Sequence, residues 1–546
     1  MIRVTLALIG CLAWGSTAWA QSCLDVSGTP DVTAPASQGW GIDSHNTRYQ
    51  PDSVLNSDNV EQLRLKWVYG LNSTTPRSYP LITQDTIFVG DADVGIVALD
   101  RETGCTRWVS PHQGYIASAL LLAQTDTPDG QQSLIIYNDR ITGTYAIDAL
   151  SGERVWHAQV TDEPIPWYSA TPLVIGDTVF VPVASQEVGL AFNPFYGCCT
   201  TSGGMAAFDL ATGSKRWYVP TIKEAAQVTG SHWFFVQKHG PSGAPVWGAP
   251  SYDAELDLLY FGTGQNYSHP TTDTSNAIFA LQASNGEQVW KEQYTPNDAY
   301  TAACNNMALN HPNCPKPTGP DVDFGAPTVL AHDRAGRKLL IAGQKSAEVH
   351  ALDRNTGERV WTTRLGRGGI IGGVHWGLAV DQARGLVFAP NSDKAIDGFP
   401  SPGEPNPGLF ALDIDSGEIR WQYRRDSRCA EQECRYGMSS AIIAANDVVV
   451  AGSIDGYLEI FESQNGERLW AYDAWRDYEA VNQVPTTGGA FDAHGPMLAD
   501  DLLVVTAGYG YVGRQRGGNA LLVFEVAGSD DETANPWMAG GEQRRD

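Results

Sequence analysis

The sequence predicts an all-β chain folded as an eight-bladed β-propeller, and three observations carry the prediction. A Gly-x-x-x-Trp unit recurs seven times, the tryptophans are spaced like propeller blades, and short apolar runs rich in β-branched residues fill the intervals. Such a unit reads as a hairpin: an apolar strand, a turn whose glycine accepts positive φ, and a second strand carrying the tryptophan.

The copies follow one another along the chain. Ala98-Leu99-Asp100 leads through Thr103-Gly104 to Trp108, Ala146-Ile147-Asp148 through Ser151-Gly152 to Trp156, and Ala207-Phe208-Asp209 through Thr212-Gly213 to Trp217. Next come Ala280-Leu281-Gln282 with Asn285-Gly286 and Trp290, then Ala351-Leu352-Asp353 with Thr356-Gly357 and Trp361. Ala411-Leu412-Asp413 with Gly417 and Trp421, and Ile460-Phe461-Glu462 with Gly466 and Trp470, complete the seven. Trp67, in Leu63-Arg64-Leu65-Lys66-Trp67, reads as an eighth copy reduced to its last strand. Successive tryptophans lie 41, 48, 61, 73, 71, 60 and 49 residues apart, the repeat length of blades with loop insertions. Asp or Thr before the glycine can bond the turn backbone, and an indole at a fixed hairpin position suits the space between neighbouring sheets. Further strands such as Thr86–Val89 and Leu339–Ala342 bring each blade to about four. The strand Ala520–Val526 is placed to close the ring with the N-terminal segment, so residues 21–527 are expected to form one propeller, followed by an acidic, polar tail at 528–546.

The first twenty residues read as a secretory signal, with Arg3, an apolar run from Val4 to Trp14 and a small-x-small cleavage site at Ala18-Trp19-Ala20. No later segment reaches the roughly 18 apolar residues of a membrane helix, so a periplasmic or secreted protein is expected. The formal charge is −26, or −27 once Arg3 is removed; nucleic-acid binding is disfavoured, while a basic partner such as a cytochrome c is compatible with it. Cys11 leaves with the signal, and eight cysteines remain for an oxidising compartment. Cys304 with Cys314, Cys429 with Cys434, and Cys23 with Cys105 are candidate pairs. No Cys-x-x-Cys-His occurs, so no covalently attached c-type haem is expected and electrons must leave through another carrier.

The Ala-x-Asp-x-x-Thr-Gly-x-x-x-Trp repeats resemble the docking motif of the pyrroloquinoline-quinone (PQQ)-dependent alcohol dehydrogenases, which are eight-bladed. Gly39-Trp40-Gly41 through Asn46-Thr47-Arg48-Tyr49, Cys198-Cys199-Thr200, Gly343-Gln344-Lys345-Ser346, His375-Trp376-Gly377 and Ala507-Gly508-Tyr509-Gly510 are similar to the polyvinyl-alcohol dehydrogenase branch. PQQ is a flat, trianionic ortho-quinone, and its chemistry requires an aromatic floor, partners for its carboxylates, a divalent cation and a base. The resemblance implies Trp247 as the stacking indole, with Trp376 also at the cofactor, and Trp247 stands outside the Gly-x-x-x-Trp series. It implies Glu187 as a metal ligand and an amide ligand after Gly262-Thr263-Gly264, at Gln265 or Asn266; both amides suit Ca2+. Asp321 is implied as the base that takes the alcohol proton, and Asp323 as an added metal ligand or second acid that would also suit a lanthanide. Lys345 is implied beside the quinone oxygens, and Ser169 and Thr171 at the cofactor carboxylates. Cys198-Cys199 stands open between a vicinal disulfide over the pocket, two separate bridges and a loop staple. One departure is evident: Ile116 falls where many relatives carry an arginine that reaches the cofactor.

Three functions follow as expectations. The first is a dehydrogenase of a secondary alcohol, diol or hydroxylated polymer that passes electrons to an external cytochrome c. The second is a non-catalytic propeller scaffold, and the third a sugar dehydrogenase of the same chemistry. The coincidence of Trp247, Glu187, Asp321 and Lys345 is what a scaffold would not require.

Overall fold

A computed structural model of the chain describes residues 28–527 apart from Asp93, Asp129, Thr161, Phe234, 306–310, 394–402, 427–435, His494 and 511–514. The expected signal peptide, Cys23, the Cys429 and Cys434 pair and the 528–546 tail lie outside these residues.

Eight antiparallel sheets of four consecutive or ring-closing strands stand around a central axis. Blade 1 runs from Leu81 to Pro111, blade 2 from Leu121 to Ala158, blade 3 from Leu173 to Pro220 and blade 4 from Ser251 to Gln293. Blade 5 spans Val329–Arg364, blade 6 Ala379–Arg424 and blade 7 Ile443–Asp473. Blade 8 takes its inner three strands, Met497–Ala499, Leu502–Ala507 and Ala520–Val526, from the C-terminal end and its outer strand, Leu63–Gly70, from the N-terminal end. The register Leu63↔Val526 to Gly70↔Ala520 closes the ring, as the sequence predicts.

Every outer hairpin carries the same bulge. Ala98 pairs with Trp108 but Leu99 with Thr106, leaving Arg107 as the extra residue, and the same slip precedes Trp156, Trp217, Trp290, Trp361, Trp421 and Trp470. It also precedes Trp67, which identifies that strand as a true eighth copy. A bulge bends its strand and re-aims the next side chain; here it turns the indole toward the following blade. There the ring lies on that blade's motif glycine. A Cβ on Gly104 would meet Trp67 at 2.8 Å, on Gly213 Trp156 at 2.7 Å, on Gly357 Trp290 at 2.7 Å and on Gly466 Trp421 at 2.5 Å. The indole N–H then donates to the backbone one residue past the motif acid: Trp67 to Arg101 O, Trp156 to Leu210 O, Trp361 to Ile414 O and Trp421 to Ser463 O, at 2.8–3.1 Å. Asp100 caps its own turn through Thr103 N and Oγ1 at 2.9 and 2.8 Å.

The axis is occupied by residues 35–50. Pro35–Ser37 adds a strand to blade 1, and the backbone beyond it bonds to the inner strands of blades 4, 5, 6 and 7 through Ser44, His45, Thr47 and Arg48. Arg48, 1% exposed, donates to the carbonyls of Trp40, Ile442 and Pro496 and to the Tyr79 hydroxyl. Asn46 donates to Pro250 O and Thr328 O. Among the described residues no helix is long and apolar enough to cross a membrane.

The glycine seat has a direct test within blade 5. Gly357 and Gly336 both have positive φ, +78° and +85°, but a Cβ on Gly336 meets nothing within 4 Å. Both alanine variants carry the backbone strain of about 1 kcal/mol, and only Gly357→Ala must also displace Trp290, for a total of about 3 kcal/mol. Thermal melts should show a clearly larger loss for Gly357→Ala; equal losses would contradict the seat.

Candidate functional site

In an antiparallel meander the start of the first strand and the end of the second lie at one end of the blade. The expected residues fall in these positions. Ser169 and Thr171 precede the inner strand of blade 3, Trp247 that of blade 4, Asp321 and Asp323 that of blade 5, and Trp376 that of blade 6; Glu187, Gln265 and Lys345 follow the second strands of blades 3, 4 and 5. One end of the propeller therefore collects them.

At its centre is a buried ion cluster. Lys345 Nζ lies 3.1 Å from Asp321 Oδ1 and 3.2 Å from Asp323 Oδ2, and the Trp247 indole N–H donates to the same Asp323 Oδ2 at 3.2 Å. The Lys345 ammonium stands 5.8 Å from the Trp247 ring centre. Burial alone would favour the neutral amine, but the two carboxylates outweigh it and hold Lys345 above the usual lysine range. Burial raises Asp321 well above the carboxylate range, Lys345 opposes the rise, and Asp323 and Asp298 add to it. The Trp247 ring lies against Gly325, where a Cβ would sit 1.9 Å from Cη2, and meets Trp376 edge-on at 5.3 Å and 77°.

Asp298 is a member of this site that no sequence signal marks. Its carboxylate accepts Asp321 N and Val322 N, both at 3.0 Å, and Asn276 Nδ2 at 2.7 Å, so it holds Asp321 at φ +55°. The two candidate amides separate cleanly. The Asn266 oxygen accepts Thr272 N at 2.9 Å and its nitrogen donates to Ser242 O and Thr272 Oγ1, so this side chain braces a turn. Gln265 donates its backbone N–H to Asp323 Oδ1 at 2.9 Å, and its buried Oε1 has no donor. A buried acceptor left in that condition, on a residue whose backbone is bonded to a carboxylate, suits a hard cation.

Glu187 is fully buried and ringed by donors: Tyr196 OH at 2.7 Å, Thr200 N at 2.8 Å, and Thr201 N and Oγ1 at 2.8 and 2.6 Å. Burial raises the Tyr267 hydroxyl well above its ordinary range, and the charges of Asp323, Glu187 and Asp321 add to the rise. Among the described residues no three of His, Cys, Asp and Glu converge tightly enough to hold a metal by themselves; Glu187 stands apart from the aspartate pair. Cys198 and Cys199 are bonded to each other, immediately before the donors to Glu187, and pack with Tyr267. Cys304 and Cys314 form the second described disulfide; Cys105 is also disulfide-bonded. Thr171 spends its Oγ1 on Ala119 N at 2.9 Å, and Ser169 presents its carbonyl to Arg77. Arg77 lines one small pocket with Ser169, Thr171, Trp247 and Trp376 and belongs to none of the sequence motifs.

Three inserts build a rim beside Glu187. The helix Glu187–Leu190 with the loop behind it, the hairpin Gln227–Gly240 and the segment carrying Cys304 and Cys314 are knitted by Asn313, which donates to Ala191 O, Asn193 O and Tyr196 O and faces His232. The rim exposes Phe192, Phe195, Trp233 and Phe235, the last at 85%, with Phe195 and Trp233 in edge contact at 5.4 Å.

Glu163, on the same side, accepts Tyr218 OH at 3.2 Å, and burial pushes its carboxyl up to about 7. The folded protein therefore binds a proton that the unfolded chain releases above about pH 4.5, so this group's contribution to stability falls as pH rises from about 4.5 to 7. Glu163→Gln removes that fall: the melting temperature of the variant relative to wild type should climb across this interval, and a flat difference would contradict it.

The family described as "PQQ: Glucose/ethanol/alcohol dehydrogenase, beta-propeller domain" matches residues 38–364, and that of the outer membrane protein assembly factor BamB matches residues 274–518. A polyvinylalcohol dehydrogenase of Sphingopyxis sp. (strain 113P3) is 28% identical over 92% of this chain and 78% of its own length. One from Pseudomonas sp. is 29% identical over the same shares. The fold superposes on the quinohemoprotein alcohol dehydrogenase of Comamonas testosteroni with a TM-score of 0.66 at 20% identity, covering 90% of this chain and 81% of that one. With the first family spanning more than half of the sequence, the chain belongs to the PQQ-dependent glucose/ethanol/alcohol dehydrogenase propellers, oxidoreductases that act on CH–OH groups.

Proposed function

We propose that this protein is an exported quinoprotein dehydrogenase that oxidises the secondary hydroxyls of a polymer with a carbon backbone, using PQQ and a divalent cation. The observation that carries the reading is the Asp321–Lys345–Asp323 cluster set against the Trp247 indole, because a scaffold gains nothing from two carboxylates and an ammonium buried together. The polymer assignment draws on two supports: the relatives named polyvinylalcohol dehydrogenase and the exposed aromatic rim. An apolar patch of this kind marks an interaction surface, and a hydrocarbon chain with hydroxyl groups can lie on such rings while one carbinol enters the pocket.

The residues present fit the group. Trp247 supplies the aromatic floor, with Trp376 edge-on to it, Ser169 and Thr171 border the pocket, and the bonded Cys198–Cys199 pair closes the Glu187 side. The cation falls to Gln265 Oε1, Asp323 and Asp321, with Glu187 as the further anion and Asn266 bracing the loop. Ca2+ suits these oxygens, and the additional acid at 323 also suits a lanthanide. Bound PQQ supplies the two-electron acceptor for the carbinol hydride. Asp321 would take the hydroxyl proton of the alcohol at its carboxylate. Lys345, kept charged by its two carboxylates, would supply the positive charge that a reduced quinone oxygen needs. Asp298 fixes Asp321 through the two backbone N–H groups that it accepts. Export to the periplasm and a separate acceptor such as a cytochrome c complete the reading: the acidic surface favours a basic partner.

Dye reduction by the purified protein, loaded with PQQ and Ca2+ and offered a panel of alcohols, tests the reading. Secondary alcohols and polyvinyl alcohol should be oxidised; no turnover on any hydroxyl compound would overturn it. Asp321→Asn should lower kcat about 10²–10⁴-fold with cofactor binding retained. The triple variant Phe195→Ala, Trp233→Ala, Phe235→Ala should raise KM for the polymer at least about tenfold, equivalent to ~1.4 kcal/mol, and leave a small secondary alcohol unaffected. An equal rise for both substrates would remove the rim from the account.

A further inference from the structure

Among the described residues Arg77 is a guanidinium without a counter-charge. It is 6% exposed and lines the pocket together with Trp247, Trp376, Ser169 and Thr171. It donates from Nη2 to Ser169 O at 3.2 Å, and its Cζ lies over the Trp376 ring, 4.9 Å from the ring centre. Its Nε is buried with no acceptor, and it forms no ion pair with any described carboxylate. Asp492, which bonds the Trp376 indole, is already committed: Oδ1 accepts Trp376 Nε1 and Ala493 N, both at 2.9 Å, and Oδ2 accepts Gln515 Nε2 at 2.6 Å. A buried cation left in this state is costly unless an anion joins it, and a guanidinium stacked on a ring keeps its N–H edge free for in-plane, two-point bonding to a carboxylate.

A second observation concerns Ile116. This residue stands where the resemblance implies an arginine; here it is an apolar side chain, 3% exposed, whose backbone bridges to Asp139. Its Cγ2 and the Ser78 side chain press on the same glycine, each 2.7–2.8 Å from where a Cβ on Gly90 would lie. Arg77, the neighbour of Ser78, thus starts from backbone close to Ile116; its side chain lines the pocket from the lead-in to blade 1, while that of Ile116 packs with Leu81, Phe88 and Leu120.

We propose that Arg77 is an anion-binding residue that takes a carboxylate of PQQ, so that the cofactor's cation has moved from position 116 to position 77. The inference rests on the quinoprotein reading above. The shared chemistry is a planar carboxylate, whether from the cofactor or from an acidic substrate, and the test separates the two.

The experiment is a titration of the full-length, cofactor-free protein in Ca2+ with PQQ, read by quenching of tryptophan fluorescence, for wild type, Arg77→Gln, Arg77→Lys, Ile116→Arg and the double variant Arg77→Gln, Ile116→Arg. Arg77→Gln should weaken PQQ at least tenfold and Arg77→Lys by less. The double variant should recover most of the affinity. Melting of the cofactor-free Arg77→Gln protein should not fall below wild type, since a buried unpaired charge is removed; Arg77→Lys keeps the charge and provides the reading if the glutamine variant does not fold. Equal PQQ affinity in wild type, Arg77→Gln and Arg77→Lys, with dye reduction intact, overturns the inference and leaves the quinoprotein reading standing. Unchanged PQQ affinity with a rise in KM for carboxylate-bearing alcohols alone assigns Arg77 to substrate and overturns the cofactor role. No PQQ binding by wild type overturns both.

Discussion

The contact on which the whole molecule depends is an indole lying on the glycine of the next blade. Each such ring removes roughly 150–250 Å² from water, about 4–6 kcal/mol as an upper figure, and the N–H groups of Trp67, Trp156, Trp290, Trp361 and Trp421 donate to a backbone carbonyl of the neighbour. The glycine serves twice, since it accepts positive φ in the hairpin turn and has no Cβ to lift the ring away. Because the bulge before each tryptophan is repeated in all eight outer hairpins, the blades dock in one geometry and the inner-strand ends converge on one axis. The pocket is a consequence of that convergence: its residues come from lead-ins that only the ring brings together.

The 35–50 segment matters for the same reason. It fills the axis with a polypeptide whose backbone is paired to successive inner strands, and Arg48 ties carbonyls of three separate segments. Trp40 donates to the Trp376 carbonyl at 3.2 Å, so the segment that plugs the ring also supports the wall of the pocket. Above it, the ion cluster needs no mobile element to assemble. Asp298, Gln265 and Trp247 hold the two aspartates through backbone and indole bonds, and Lys345 joins them from the turn of the same blade.

The ring was legible in the sequence because its signal is local and repeated: glycine and tryptophan stand four apart seven times, and the eighth tryptophan keeps its bulge although its hairpin partner is more than 450 residues away. Trp247, Asp321, Asp323 and Lys345 were legible through resemblance, and they meet at hydrogen-bonding distance. Between the two amides a sequence cannot say which side chain is held by its own loop: Asn266 is, through Thr272 and Ser242, whereas Gln265 leaves its Oε1 without a donor. Asp298 and Arg77 had no signal, since each acts on residues distant in the chain and neither belongs to a repeat. The departure at Ile116 was visible in the sequence, but that Arg77 lines the pocket with Trp247 and Trp376 becomes visible only in the fold.

The central claim is that the pocket at Trp247 is a quinone site with a base, an ammonium and a cation position around it. The most direct measurement is the structure of the protein crystallised with PQQ and Ca2+. The account predicts planar density against the Trp247 indole within reach of Lys345, with a spherical peak beside Gln265 Oε1 and Asp323. Planar density elsewhere on the ring, or none at saturating PQQ, would contradict it.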